Sequence, residues 1–205
     1  MQFNPSDLLT VAIVILISMS LHEAMHAFTS HWLGDPTAKD LGRITLNPLK
    51  HIDIYMTLIL PLSLILFGFP PIFVAKPVPF RPDMLKYEEF GAALVGLVGP
   101  FSNFLLALAG AGLLRAFDLP AGLADGLIIF VRINLAFFVF NLIPFPPLDG
   151  SRLLYALAPE PLQRLMYTIE SMGFLPLIFF LLVLSPIIGP QVGYWVDTLT
   201  RLLIL

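Results

Sequence analysis

Residues 8–34 form a largely apolar run that carries two histidines and a glutamate within five positions, His22-Glu23-Ala24-Met25-His26. The run is long enough to cross a bilayer, which takes about 20 apolar residues. Ionisable side chains are costly in hydrocarbon; where they occur they face protein or a wet cavity, and they mark a site. A chain with this segment must therefore fold as a membrane-embedded body that encloses these three side chains.

The remaining residues agree with that constraint. The chain of 205 residues is 58% hydrophobic and only 12% charged, against about a quarter charged in a soluble domain. It reads as a polytopic membrane protein, with residues 1–205 one membrane-embedded domain. A net charge of −3 without a basic tract argues against nucleic acid as a partner and leaves membrane lipid as the expected surroundings. The absence of cysteine excludes disulfides, thiolate ligands and cysteine nucleophiles. "MQFNPSD" lacks the positive start of a cleavable signal, and "SLHEA" is a poor cleavage site, so the first apolar segment is expected to be retained.

The fold expected is all-α, a polytopic transmembrane helical bundle. Helix 1 should begin at Ser6 or Asp7 and stop at Gly34, ahead of Pro36. Residues 54–74 are apolar but interrupted by Pro61, Gly68, Pro70 and Pro71. They suit a re-entrant hairpin or short extra membrane segment, which is tolerated where protein buries it; a single full crossing is the alternative. Further apolar helices are expected at 90–117, 123–142 and 172–188, with an amphipathic stretch at 151–170. Tyr194 and Trp195 read as interfacial anchors in a tail. A small β element is expected in the 35–53 and 75–80 loops. In "AKPVPF" (75–80), Pro77 and Pro79 lack N–H groups and would share one edge of a strand. Residues 76, 78 and 80 could then pair with residues 40–46 or with a substrate strand, unless the edge is only structural.

Lys39, Arg43 and Lys50, then Lys76, Arg81 and Lys86, then Arg152 and Arg164 mark three basic regions. The positive-inside tendency puts all three on the cytoplasmic side and the turn near Asp118 on the other. The expectation is a multi-pass protein of a prokaryotic inner membrane, with its site toward the cytoplasm.

His22 and His26 are four residues apart, so one helical face can present both to a single metal ion. Zinc suits two imidazoles and an oxygen. Glu23 lies about 100° round the helix, close to the metal without ligating it, where it can act as a base on activated water. A structural histidine pair, hydrogen-bonded inside the bundle, is the alternative. In one known arrangement the third ligand is a histidine ten residues after the first, following a glycine at seven. Trp32 and Thr29 occupy those places. His31 points roughly the opposite way and reads as interfacial; His51, near Asp53, reads as a solvated loop histidine. Asp149 is the better candidate. Pro144, Pro146 and Pro147 must break the helix before it, and Gly150 permits a sharp turn. Asp149 could instead cap a helix beginning at Ser151.

HEAMH, "GPFSN" (99–103) and "NLIPFPPLDG" (141–150), in this order, resemble the site-2 protease family of intramembrane zinc metalloproteases. "GDPTAKDLGRITLNPLKHID" and "AKPVPF" are similar to connecting stretches of its compact bacterial and archaeal members, and the likeness covers roughly residues 15–155. The resemblance implies His22, His26 and Asp149 as zinc ligands and Glu23 as catalytic acid/base. It also implies peptide-bond hydrolysis within or beside the bilayer, on a single-span membrane-protein substrate. "HIDIYMT" departs from the family pattern, where proline and glycine often follow HID, which bears on the shape of 54–74. No PDZ-like or CBS-like domain is present, so regulation through such modules is not implied.

Asn103 and Asn141 are amide donors in apolar surroundings. They are candidates to stabilise an oxyanion or hold the substrate backbone, or else to make interhelical hydrogen bonds. Gly96, Gly99 and Pro100 suit close helix packing. Two other functions fit parts of the pattern. One is a catalytically inactive zinc-binding membrane scaffold, which has no need of Glu23. The other is a metal transporter, which should carry polar ligands on several helices and release on both sides.

Overall fold

A computed structural model describes residues 5–66, 75–173 and 175–205. Helix α1 (Pro5–Trp32) starts on a proline and runs unbroken through the HEAMH segment. It ends where Gly34 takes φ +114°, a conformation open mainly to glycine. There the Asp35 N–H donates to the Ser30 carbonyl at 3.0 Å, satisfying one of the last-turn carbonyls. A short helix α2 (Thr37–Asp40) follows. Next come a six-residue π-helical turn, Ile54–Ile59, and helix α3 (Leu60–Leu66). Together these are about 20 Å long at 1.5 Å per residue. The expected hairpin turn at Gly68, Pro70 and Pro71 lies outside the described residues.

Helices α4 (Glu88–Ala116) and α5 (Ala121–Asn141) form an antiparallel pair. Two amphipathic helices, α6 (Gly150–Leu157) and α7 (Glu160–Ser171), come next. Last is a continuous helical stretch made of α8 (Leu175–Phe179), a π turn at Phe180–Leu184, and α9 (Ser185–Ile204). Four helical segments are long and apolar enough to cross a membrane: Leu8–Trp32, Glu88–Ala116, Ala121–Asn141 and Leu175–Ile204. Their outward faces carry large exposed apolar side chains, such as Leu9, Ile13 and Ile17 on α1 and Phe101 and Leu105 on α4. The chain is a helical membrane protein.

Two expectations need correction. The last span does not stop near residue 188 and give way to a tail, because α9 continues to Ile204 with Pro190 inside it. Val192, Val196, Leu199 and Leu203 of α9 pack with Val131 and Leu135 of α5 and with Ala107 and Ala111 of α4. That packing outweighs the hydrogen bond lost at Pro190. The small β element is also absent, since no strand occurs among the described residues. Residues 75–81 lack regular helix or strand structure, and side chains hold much of their backbone. Arg43 donates to the carbonyls of Lys76 and Pro77. Glu23 accepts from the Val78 N–H at 3.2 Å, and Asp35 from the Arg81 N–H at 2.6 Å. With prolines at 77 and 79 removing two ladder donors, no continuous pairing with residues 40–46 develops.

The basic regions do share one end of the bundle. The Lys86 N–H donates to the Leu33 carbonyl at 2.8 Å, and the Arg152 guanidinium sits 5.3 Å from the centre of the Phe80 ring. The turn at Phe117–Pro120 lies at the far end of α4. Helix α4 is central and packs against α1, α5, α6 and α9.

Candidate active site

His22 and His26 lie on one face of α1, both buried, with their Nε2 atoms 2.9 Å apart. Asp149 arrives from a different part of the chain. Beyond Asn141 the three prolines keep the backbone out of a helix, and it turns through Phe145 N–H to Ile143 carbonyl and Leu148 N–H to Phe145 carbonyl bonds, each 2.8 Å. At Gly150 the chain passes against its own earlier backbone: a Cβ there would lie 2.8 Å from the Ile143 oxygen, so only glycine fits. Asp149 occupies the N-cap position of α6 yet makes no side-chain capping bond. Its Oδ2 instead lies 3.0 Å from His22 Nε2 and 3.3 Å from His26 Nε2.

These three atoms fit a zinc ion by both chemistry and spacing. Nitrogen and oxygen donors about 2.0–2.1 Å from a tetrahedral zinc stand about 3.3 Å from one another. The observed separations are 2.9, 3.0 and 3.3 Å. The carboxylate is the form of Asp149 that holds a cation. The His26 Nδ1 donates to the Val95 carbonyl of α4 at 2.6 Å, which leaves its Nε2 lone pair for the metal.

Gly99 of α4 faces the two rings. A Cβ there would lie 2.5 Å from His26 Cε1 and 2.7 Å from His22 Cε1. Gly99→Ala is therefore expected to destabilise the protein by about 1–3 kcal/mol through overpacking and to weaken zinc binding, read by thermal melting and by chelator competition. A variant with unchanged melting and zinc affinity would contradict this packing.

Glu23 is buried beside the donor group and is not part of it. Its carboxylate accepts the Val78 N–H described above. Asn103, fully buried on α4, has its Oδ1 2.6 Å from His22 Nδ1. Asn141 is placed differently: its Nδ2 donates to the Phe137 carbonyl of its own helix at 3.0 Å. His31 is half-buried in the last turn of α1 and is not part of the donor group. His51 is not a solvated loop histidine. It is 1% exposed, and its Nε2 donates to the Thr45 carbonyl at 2.8 Å, because the 35–53 loop folds onto itself. Sequence reasoning missed Asn134, which partners Asn103, and Arg43, which ties down residues 76 and 77. Asn134 did leave a signal: it is an amide within the apolar span of α5.

A helical membrane protein that gathers two histidines of one helix and a distant aspartate at zinc-ligand spacing, with a glutamate alongside, is of the zinc metalloprotease class. No family model and no solved structure matches the chain. It is 33% identical over 205 residues to "Putative zinc metalloprotease YwhC" of Bacillus subtilis, covering 94% of this chain and 90% of that one. It is 32% identical over 185 residues to "Putative zinc metalloprotease Rip2" of Mycolicibacterium smegmatis, covering 88% and 67%. To the protein of the same name in Mycobacterium tuberculosis it is 33% identical over 188 residues, again covering 88% and 67%. The chain belongs to the site-2 protease family of zinc metalloproteases.

Proposed function

We propose that this chain, acting as one membrane-embedded domain, hydrolyses a peptide bond in or next to the transmembrane segment of a single-span membrane protein. The observation that carries the reading is the Asp149 carboxylate, which leaves the capping role open to it and meets both imidazoles. In this reading His22 Nε2, His26 Nε2 and Asp149 Oδ2 would hold the zinc. Bound there, zinc supplies Lewis acidity toward water and toward the scissile carbonyl. Glu23 takes up the water proton on its carboxylate and delivers it to the leaving amine nitrogen. The Val78 N–H holds that carboxylate in place between the two transfers.

Depth supports the membrane setting. His26 and His22 lie about 9–15 Å along α1 from its Trp32 end, at 1.5 Å per residue. Water and substrate therefore have to reach them through a protein-lined passage. The basic regions at that end of the bundle favour a cytoplasmic opening. A helical substrate must also unwind, since its carbonyls are otherwise held in internal bonds.

The test is cleavage of a panel of single-span membrane proteins in proteoliposomes, with products mapped by mass spectrometry. Cuts are expected within or beside the apolar stretch. Chelation should reduce them to background, and added zinc should restore them. Cleavage confined to soluble peptides, or unaffected by chelation, would overturn the proposal. Zinc accumulation in sealed vesicles would favour transport instead.

A further inference from the structure

Asn103 and Asn134 are both fully buried, at 0% exposure. Buried amides in such a bundle must satisfy their donors and acceptors, and these two do so in a chain across three helices. Asn134 Nδ2 on α5 is 2.9 Å from the Phe130 carbonyl oxygen. Asn103 Nδ2 on α4 is 3.0 Å from Asn134 Oδ1 and 3.4 Å from the Ser18 carbonyl oxygen of α1. Asn103 Oδ1 is 2.6 Å from His22 Nδ1.

Backbone carbonyls give this chain a direction, because they can only accept. The Asn134 NH2 group must face Phe130, which turns the Asn134 oxygen toward Asn103. The Asn103 NH2 group must then face Asn134 and Ser18, which turns its own oxygen toward His22. An acceptor 2.6 Å from Nδ1 requires the proton there. His22 is thereby held as the Nδ1–H tautomer, with the Nε2 lone pair aimed into the donor group. The reverse orientation of either amide would set oxygen against oxygen at Phe130 or between the two asparagines. His26 obtains the same result directly from the Val95 carbonyl; His22 depends on two intervening side chains.

We propose that Asn134 is a positioning residue of the zinc centre, acting through Asn103 to fix the tautomer of His22 from a third helix. This rests on the reading of His22 as a zinc ligand. Without Asn134, Asn103 keeps only the long contact to Ser18 and can turn over. Its NH2 group would then face Nδ1, and the imidazole proton would move to Nε2, where it obstructs the metal.

The experiment uses the full-length zinc-free protein with 15N-labelled histidine, and long-range proton–nitrogen correlation spectra to locate the His22 proton. The wild type is expected to carry it on Nδ1. Asn134→Leu should give a mixed or reversed tautomer and about tenfold weaker zinc binding by chelator competition, within the range seen when outer-shell partners of metal ligands are lost. Asn103→Asp provides the second arm, because a carboxylate accepts from Nδ1 whichever way it turns. In that background, adding Asn134→Leu should change zinc affinity much less than it does in the wild type. An unchanged tautomer and affinity in Asn134→Leu would overturn the proposal. So would equal losses in both backgrounds, which would mean that Asn134 acts on the fold alone. A wild-type Nδ1 found without a proton would overturn the relay itself. Zinc affinity unmoved by His22→Ala would instead overturn the ligand reading, a failure distinct from that of the relay.

Discussion

Glu23→Gln is expected to retain one equivalent of zinc and to lose about 10²–10⁴-fold in turnover, the usual worth of a positioned acid or base. The substitution separates chemistry from architecture. Glutamine has the shape of glutamate, and its side-chain oxygen can still accept the Val78 N–H that Glu23 accepts at 3.2 Å. It is not a metal donor in this arrangement, since the donor group is His22, His26 and Asp149. What it lacks is a site for the water proton. Zinc content by mass spectrometry, melting temperature and substrate affinity should therefore match the wild type while turnover falls. Equal product from both proteins would remove Glu23 from the mechanism. A loss of zinc together with activity would instead place it among the ligands.

Asp149→Ala is expected to weaken zinc binding by more than about 10²-fold, since loss of an outer-shell partner alone costs 10–100-fold. Activity should fall to background with it. The side chain has little other duty. It forms no capping bond at the start of α6, so the ~1 kcal/mol typically lost with a helix cap should not appear. Circular dichroism should report the same helix content in the zinc-free variant and the zinc-free wild type. The measurement is zinc content after dialysis against a weak chelator. Unchanged content would remove Asp149 from the donor set; collapse of helix content would show that the carboxylate serves the fold.

How much of this site is legible in the sequence follows from how local each feature is. The histidine pair is a property of one helix, so an i, i+4 spacing suffices to place both rings together. The break before Asp149 is equally local, because three prolines within four residues cannot continue a helix. Asn134 and Asn141 show where such reasoning stops. They are seven residues apart, two turns along the same face of α5, and periodicity treats them alike. Only the depth at which α5 crosses α4 sets Asn134 level with Asn103 and leaves Asn141 bonded along its own helix. The 75–81 segment is hidden for a related reason. Its shape comes from Glu23, Asp35 and Arg43, which are 33–55 residues away in the chain. The end of α9 is hidden for the same reason, since its packing against α5 carries the helix past Pro190 to Ile204.

Asp149 stands 127 residues from His22 along the chain. An ion shared between them is therefore a staple as well as a reagent, joining the opening helix to the loop behind α5. Any species that binds the native fold and not the unfolded chain adds stability as the logarithm of its free concentration, about 2.7 kcal/mol at a hundredfold excess over the dissociation constant. With zinc held by these residues as proposed, metal supply would govern how firmly the two halves of the bundle are clasped, and the same scarcity that silences the hydrolase would also loosen it.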